Sequence, residues 1–307
     1  MGPLRVRLLD LALLLTALVL VVSAYIRLSQ AGIGCAPWPE CYGRLSAPAA
    51  PGWATALHRL SASALGAVVL AITLATWRRG ERHRPLALLA LALTVFLALL
   101  GLRSGTLDVP AVVLANLLGG IALAAVLFWY RLRARAFAAA YTRVPVARSW
   151  IALGGVLVVA AIVFGAATSA HFGLRACIIA PQCPGGSTAA LLEAFADLER
   201  PLATDASGIV IGGAQAALHG AHRAGGWLAA AYLSGVAVVL WRRMPAARPW
   251  ALLLLGLVTT EALLGLGAIG GLPAALAVAH NGIATVLLLT LLLLLQRAGR
   301  GAPRRLE

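Results

Sequence analysis

The chain has 307 residues, 61% of them hydrophobic and 11% charged, with a net charge of +15 and a mean hydropathy of +0.92. That balance excludes a soluble domain, which needs a wettable surface, and points to a polytopic membrane protein. The basic excess, weighed by where the arginines fall, belongs to membrane topology and not to nucleic acid binding.

A bilayer helix needs about 20 apolar residues, and stretches of that kind lie at 8–26, 53–77, 86–102, 110–130, 150–170, 209–241, 250–269 and 274–296. They predict an all-α fold of eight transmembrane helices, arranged as two tandem four-helix bundles over 1–149 and 150–307. The first stretch has no small-x-small cleavage site before Tyr25-Ile26-Arg27, so it is expected to be retained and not removed as a signal peptide. The stretch at 86–102 is short. That at 209–241 is long enough to begin outside the hydrocarbon.

The two halves are related by duplication. His58-Arg59, Trp77-Arg78-Arg79, Arg84-Pro85 and Ala98-Leu99-Leu100-Gly101 recur 164 positions later as His222-Arg223, Trp241-Arg242-Arg243, Arg248-Pro249 and Ala262-Leu263-Leu264-Gly265. The same offset sets Asn116 against His280. The second half therefore holds two histidines where the first holds a histidine and an asparagine.

With an even number of spans both termini share a side. That side holds Arg5, Arg7, Arg78, Arg79, Arg82, Arg84, Arg131, Arg133, Arg135, Arg143, Arg148, Arg242, Arg243, Arg248, Arg297, Arg300, Arg304 and Arg305, against Arg27, Arg44, Arg103, Arg175 and Arg200 opposite. The positive-inside rule places both termini in the cytoplasm, and the arginines face anionic lipid headgroups. The four cysteines fall in the two long outer loops as Cys35-x5-Cys41 and Cys177-x5-Cys183. In an oxidising compartment that spacing suits two local disulfides, while a metal site would need further nearby ligands.

Depth brings the remaining polar residues together. His58 lies five residues inside its span, about 7.5 Å below the outer end, and His222 lies about 28 Å above the inner end of its own helix, at 1.5 Å per residue. Asn116 and His280 fall at the same level. A single intramembrane histidine can be a hydrogen-bonded packing residue, but two at one depth on different helices, recurring by duplication, are a functional signal. Imidazoles facing each other across a four-helix bundle can ligate heme iron axially. Zinc is disfavoured, because no further ligand joins them at depth. Arg59 and Arg223 either snorkel to the headgroups or pair with a heme propionate. His219, one turn before His222, is a candidate auxiliary donor, and Thr55 occupies the matching turn before His58. His83 and His171 border loops and are assigned no ligand role.

Together these residues resemble the heme A synthase family, and the resemblance covers nearly the whole chain. It is carried by Arg27-Leu28-Ser29-Gln30-Ala31-Gly32-Ile33-Gly34-Cys35-Ala36-Pro37-Trp38-Pro39-Glu40-Cys41-Tyr42-Gly43, by His58-Arg59 and by Val112-Val113-Leu114-Ala115-Asn116-Leu117-Leu118-Gly119-Gly120. Further matches are Thr168-Ser169-Ala170, Cys177 with Cys183, Ala217-Leu218-His219-Gly220-Ala221-His222-Arg223 and Ala277-Val278-Ala279-His280-Asn281-Gly282. The resemblance implies an inner-membrane oxidoreductase that oxidises the C8 methyl of heme O to a formyl group, giving heme A. It also implies a resident heme b between His222 and His280, and heme O as substrate in the first half at His58, Thr55 and Asn116. The implied partners are heme O synthase and cytochrome oxidase assembly factors.

Two departures from the family pattern fall on the substrate side, and a third position differs in the second half. The family has a glutamate where this chain has Thr55 and a fourth histidine where it has Asn116, and it tends to have a glutamine where this chain has Glu261. An asparagine amide is a weak iron ligand, and Thr55 carries no carboxylate for proton transfer. A non-catalytic heme-binding relative, acting in electron transfer or heme delivery, is therefore the alternative. A transporter is third, because the repeats are parallel and not inverted.

Overall fold

A computed structural model describes residues 3–30, 51–78, 83–102, 109–134, 148–176, 186–206, 210, 213–243, 245–269 and 274–298. Among them are nine α-helices: α1 (Pro3–Gln30), α2 (Gly52–Arg78), α3 (Arg84–Gly101), α4 (Pro110–Ala134), α5 (Arg148–Ala170), α6 (Thr188–Ala196), α7 (Ala214–Arg243), α8 (Arg248–Ile269) and α9 (Ala274–Arg297). All but α6 are long and apolar enough to cross a membrane, which makes the chain an all-α multi-pass membrane protein with eight candidate spans.

Helix is imposed by the solvent. In hydrocarbon every backbone N–H and C=O must be satisfied within the segment, and Leu- and Ala-rich stretches do this at little conformational cost. Hydroxyls inside the spans obey the same constraint by donating to the carbonyl four residues back, as in Thr16 to Ala12 at 2.7 Å and Thr73 to Val69 at 2.8 Å. Proline marks several starts, with Pro110 opening α4 and Pro85 in the first turn of α3, where a missing N–H costs nothing.

The eight spans form two rings. In the first, α1 packs on α2, α2 on α3, α3 on α4 and α4 on α1; in the second the cycle is α5, α7, α8, α9 and back to α5. The rings meet where α4 touches α5 and α9, and where α1 touches α9. Each has a dense apolar core at its Arg-rich end. Leu9, Val69, Ile72, Leu123 and Leu127 close the first, and Ile151, Leu233, Leu240, Leu254 and Leu291 close the second. Arg–Trp stacking fringes that end, with Arg84 5.0 Å from the ring centre of Trp77 and Arg248 5.1 Å from that of Trp241. These two contacts are copies of one another under the 164-residue repeat.

Two features differ from expectation. Helix α7 begins at Ala214, later than the apolar run at 209–241, and Val210 within that run pairs with Thr204 in an isolated antiparallel bridge. Helix α6 was not expected. It is started by Ser187, whose side chain accepts a 3.1 Å hydrogen bond from the Ala190 N–H, and Phe195 on it stands edge-on to Phe164 of α5 at 6.1 Å.

Candidate functional site

Above the apolar core of the second ring lies a cavity between α5, α7, α8 and α9 that reaches α1 and α4 of the first ring. Its walls include Leu117, Ile121, Val158, Ile162, Val258 and Leu287, and its polar groups include Thr168, Ser169, His219, His222, Arg223, Glu261, His280 and Asn281. His222 stands on α7 and His280 on α9, the diagonal pair of the ring. Their ring centres are 5.9 Å apart and their planes are inclined at 81°.

Each imidazole is braced against the next helix. His222 Nδ1 lies 2.9 Å from the carbonyl oxygen of Ala161 on α5, and His280 Nδ1 lies 3.1 Å from that of Glu261 on α8. A carbonyl only accepts, so both Nδ1 atoms carry the proton and both Nε2 lone pairs are left for a ligand. Four residues beyond each acceptor stands a glycine. A Cβ on Gly165 would sit 2.8 Å from His222 Cε1, and one on Gly265 would sit 3.0 Å from His280 Cε1. The two helices thus use one device, a carbonyl to orient the ring and a missing Cβ one turn later to admit it.

The separation suits an ion between the rings. Nitrogens about 2 Å from a first-row ion on opposite sides, with roughly 1 Å more to each ring centre, put the centres about 6 Å apart. Among the described residues no group of three His, Cys, Asp or Glu could hold a metal ion. Such a pair could hold an ion whose remaining ligands come from a bound group.

The other residues singled out in the sequence are distributed unevenly. His219 is buried at 3% exposure in the cavity wall, with Nδ1 lacking a hydrogen-bond partner, and Arg223 lines the same cavity. Arg27 of α1 donates to Ser169 of α5, so a first-ring cation reaches the cavity's polar end. In the first ring His58 is half-buried on α2, as are Thr55 on the same helix and Asn116 on α4, again the diagonal pair; Arg59 is exposed. His171 is buried beyond the end of α5, its Nδ1 3.0 Å from the Ala167 carbonyl. Burial holds its pKa below the usual value, the hydrogen bond acting in the opposite direction. Cys35, Cys41, Cys177 and Cys183 lie outside the described residues.

Sequence reasoning missed the bracing of the imidazoles, because backbone acceptors leave no side-chain signature. The glycines did leave one: Gly165 and Gly265 each follow an acceptor by one turn.

Fold and site together define a polytopic all-α membrane protein of two repeat-related four-helix rings, the second enclosing a pair of opposed imidazoles. Residues 6–292 match the family described as cytochrome oxidase assembly protein, and the chain belongs to that family. It is also 31% identical to the heme A synthase of Shewanella oneidensis, over 92% of this chain and 93% of that protein.

Proposed function

We propose that the protein is a heme A synthase, a membrane oxidoreductase that converts heme O to heme A by oxidising the C8 methyl to a formyl group. The observation that carries this reading is the braced pair His222 and His280, 5.9 Å apart across the second ring. They would hold a resident heme b, with Arg223 and His219 at the polar end of the cavity for its propionates. That heme would supply one-electron redox chemistry. The chain's own residues fix two imidazoles in one tautomer, exclude water with apolar walls and keep the two rings in contact through α4, whose Leu117 and Ile121 line the cavity.

The substrate heme O is assigned to the first ring, with His58 as its one imidazole ligand and Thr55, Asn116 and Arg59 around it. Both termini are assigned to the cytoplasm of an inner membrane. The cysteine loops then lie outside, with Cys35 linked to Cys41 and Cys177 to Cys183. Partners on this reading are heme O synthase and cytochrome oxidase assembly factors.

A second reading, a heme-binding relative without synthase activity, is favoured by Asn116 standing where the repeat has His280. Expression in a host that makes heme O but no heme A, followed by extraction and chromatography of the hemes, separates the two. Heme A from the wild-type chain supports the synthase. Heme b without heme A supports the relative.

A further inference from the structure

Glu261 is a carboxylate in the middle of a membrane helix, and nothing in the proposed reaction uses it. It lines the cavity, its side chain is 20% exposed, and its Oε2 is buried without a hydrogen-bond partner. A carboxylate at such depth is costly and is seldom retained for packing alone.

Its other oxygen has a specific neighbour. Oε1 lies 3.2 Å from His280 Nδ1, the same nitrogen that lies 3.1 Å from the Glu261 backbone oxygen. That nitrogen is hydrogen-bonded to the carbonyl and stands within reach of a carboxyl oxygen of the same residue. His222 has a plainer arrangement, with the Ala161 carbonyl at 2.9 Å, and an alanine side chain cannot accept. The two imidazoles are therefore inequivalent.

The duplication reinforces the pairing. Shifting Glu261 and His280 back by 164 positions gives Leu97 and Asn116. Leu97 packs toward α4, where its Cδ2 would lie 2.9 Å from a Cβ on Gly119. The ring with histidine on its fourth span has the acid on its third, and the ring with asparagine has leucine there.

We propose that Glu261 is a positioning residue for His280, accepting a hydrogen bond from Nδ1 so that His280 becomes the stronger electron donor of the two axial ligands and lowers the reduction potential of the heme between them. An added acceptor on the outer nitrogen locks the ring and raises its basicity, which stabilises the oxidised iron. This inference rests on the bis-histidine heme of the proposed function.

The test is a potentiometric titration of the purified full-length protein, followed optically and by electron paramagnetic resonance, with Glu261→Gln and Glu261→Leu beside wild type. Glutamine keeps a weaker acceptor and leucine removes it. The midpoint should rise from wild type to Gln to Leu. For Leu the reduced-to-oxidised ratio at fixed potential should grow about tenfold, which is 59 mV for one electron. A wild-type protein without a low-spin bis-histidine signal overturns the reading underneath. That signal with one common midpoint in all three proteins overturns the inference alone. If Glu261→Leu fails to retain heme, Glu261→Gln decides: a raised midpoint supports the role, and an unchanged one overturns it.

Discussion

In the first ring, Thr76 and Tyr130 share a buried 2.7 Å hydrogen bond near the Arg-rich end, and Arg131 forks onto Asp10 at 2.5 and 3.1 Å. The repeat puts Leu240, Leu294 and Leu295 at the places of Thr76, Tyr130 and Arg131, and Leu240 and Leu294 are fully buried. At the level of the cavity the polarity is reversed. There the second ring has His280 and Glu261 where the first has Asn116 and Leu97. The polar groups that bond from helix to helix sit at a different level in each ring. In the first they tie helices together at the base; in the second the base is closed by leucine, and the polar groups are gathered around a cavity.

The largest effect should come from giving the first ring what the second has. If that ring takes heme through His58 alone, its iron is high-spin and five-coordinate. Asn116→His should convert it to a six-coordinate, low-spin species. Gly101 is the counterpart of Gly265 under the repeat, and among the described residues no side chain lies within 4 Å of a Cβ placed there. Asn116→His with Thr55→Glu should raise or switch on heme A formation in the host that supplies heme O. Extracted-heme chromatography and the low-spin absorption bands read the outcome; a double variant that yields no more heme A than wild type would make these two positions irrelevant to rate.

A somewhat smaller effect should follow from closing one of the glycine notches. Gly165→Ala forces the His222 ring to move, and overpacking of this kind costs about 1–3 kcal/mol. Heme retention should weaken roughly five- to 150-fold, at about 1.4 kcal/mol per factor of ten. Gly101→Ala in the first ring should leave heme content unchanged. Competition for heme by an excess of apo-globin measures both, and equal retention in the two variants would remove the special role of the notch.

His171 should give a milder, pH-dependent effect. Its folded pKa is depressed by burial, so the unfolded chain binds the proton more readily. The stability it contributes is full above its ordinary pKa of about 6.5 and declines as pH falls from there toward the lowered folded value. The thermal midpoint should therefore drop on acidification, and His171→Phe should flatten that slope. An unaltered slope would assign the acid sensitivity to another group.

The smallest effect is expected at the base of the first ring. Tyr130→Phe removes its hydrogen bond to Thr76, while the Thr76 hydroxyl keeps its 2.7 Å bond to the Ile72 carbonyl. The cost should be about 0.5–1.5 kcal/mol, seen as a modestly lowered midpoint in denaturant with heme content intact. Loss of heme would couple the base of one ring to the site in the other.

How far the sequence disclosed all this depends on which groups did the signalling. The spans were legible because roughly 20 apolar residues in a row have few alternatives in a bilayer, and the histidines because ionisable groups at depth are rare. Helix α6 was not, since nine residues capped by Ser187 carry too little periodicity to register. The run at 209–241 is longer than a span, and its excess lies before α7, where Val210, a β-branched residue, pairs in a bridge. The acceptors on Ala161 and Glu261 are backbone atoms, invisible in residue identity. Glu261 itself was visible as an acid where the family tends to have glutamine, but its pairing with His280 needed the two helices side by side.

The central claim is that His222 and His280 hold a low-spin heme in the second ring. It is tested most directly by electron paramagnetic resonance of the oxidised, purified protein in three forms: wild type, His222→Ala and His280→Ala. The account predicts one bis-histidine low-spin heme b in wild type and its loss from both variants. A full low-spin signal surviving in both would contradict it.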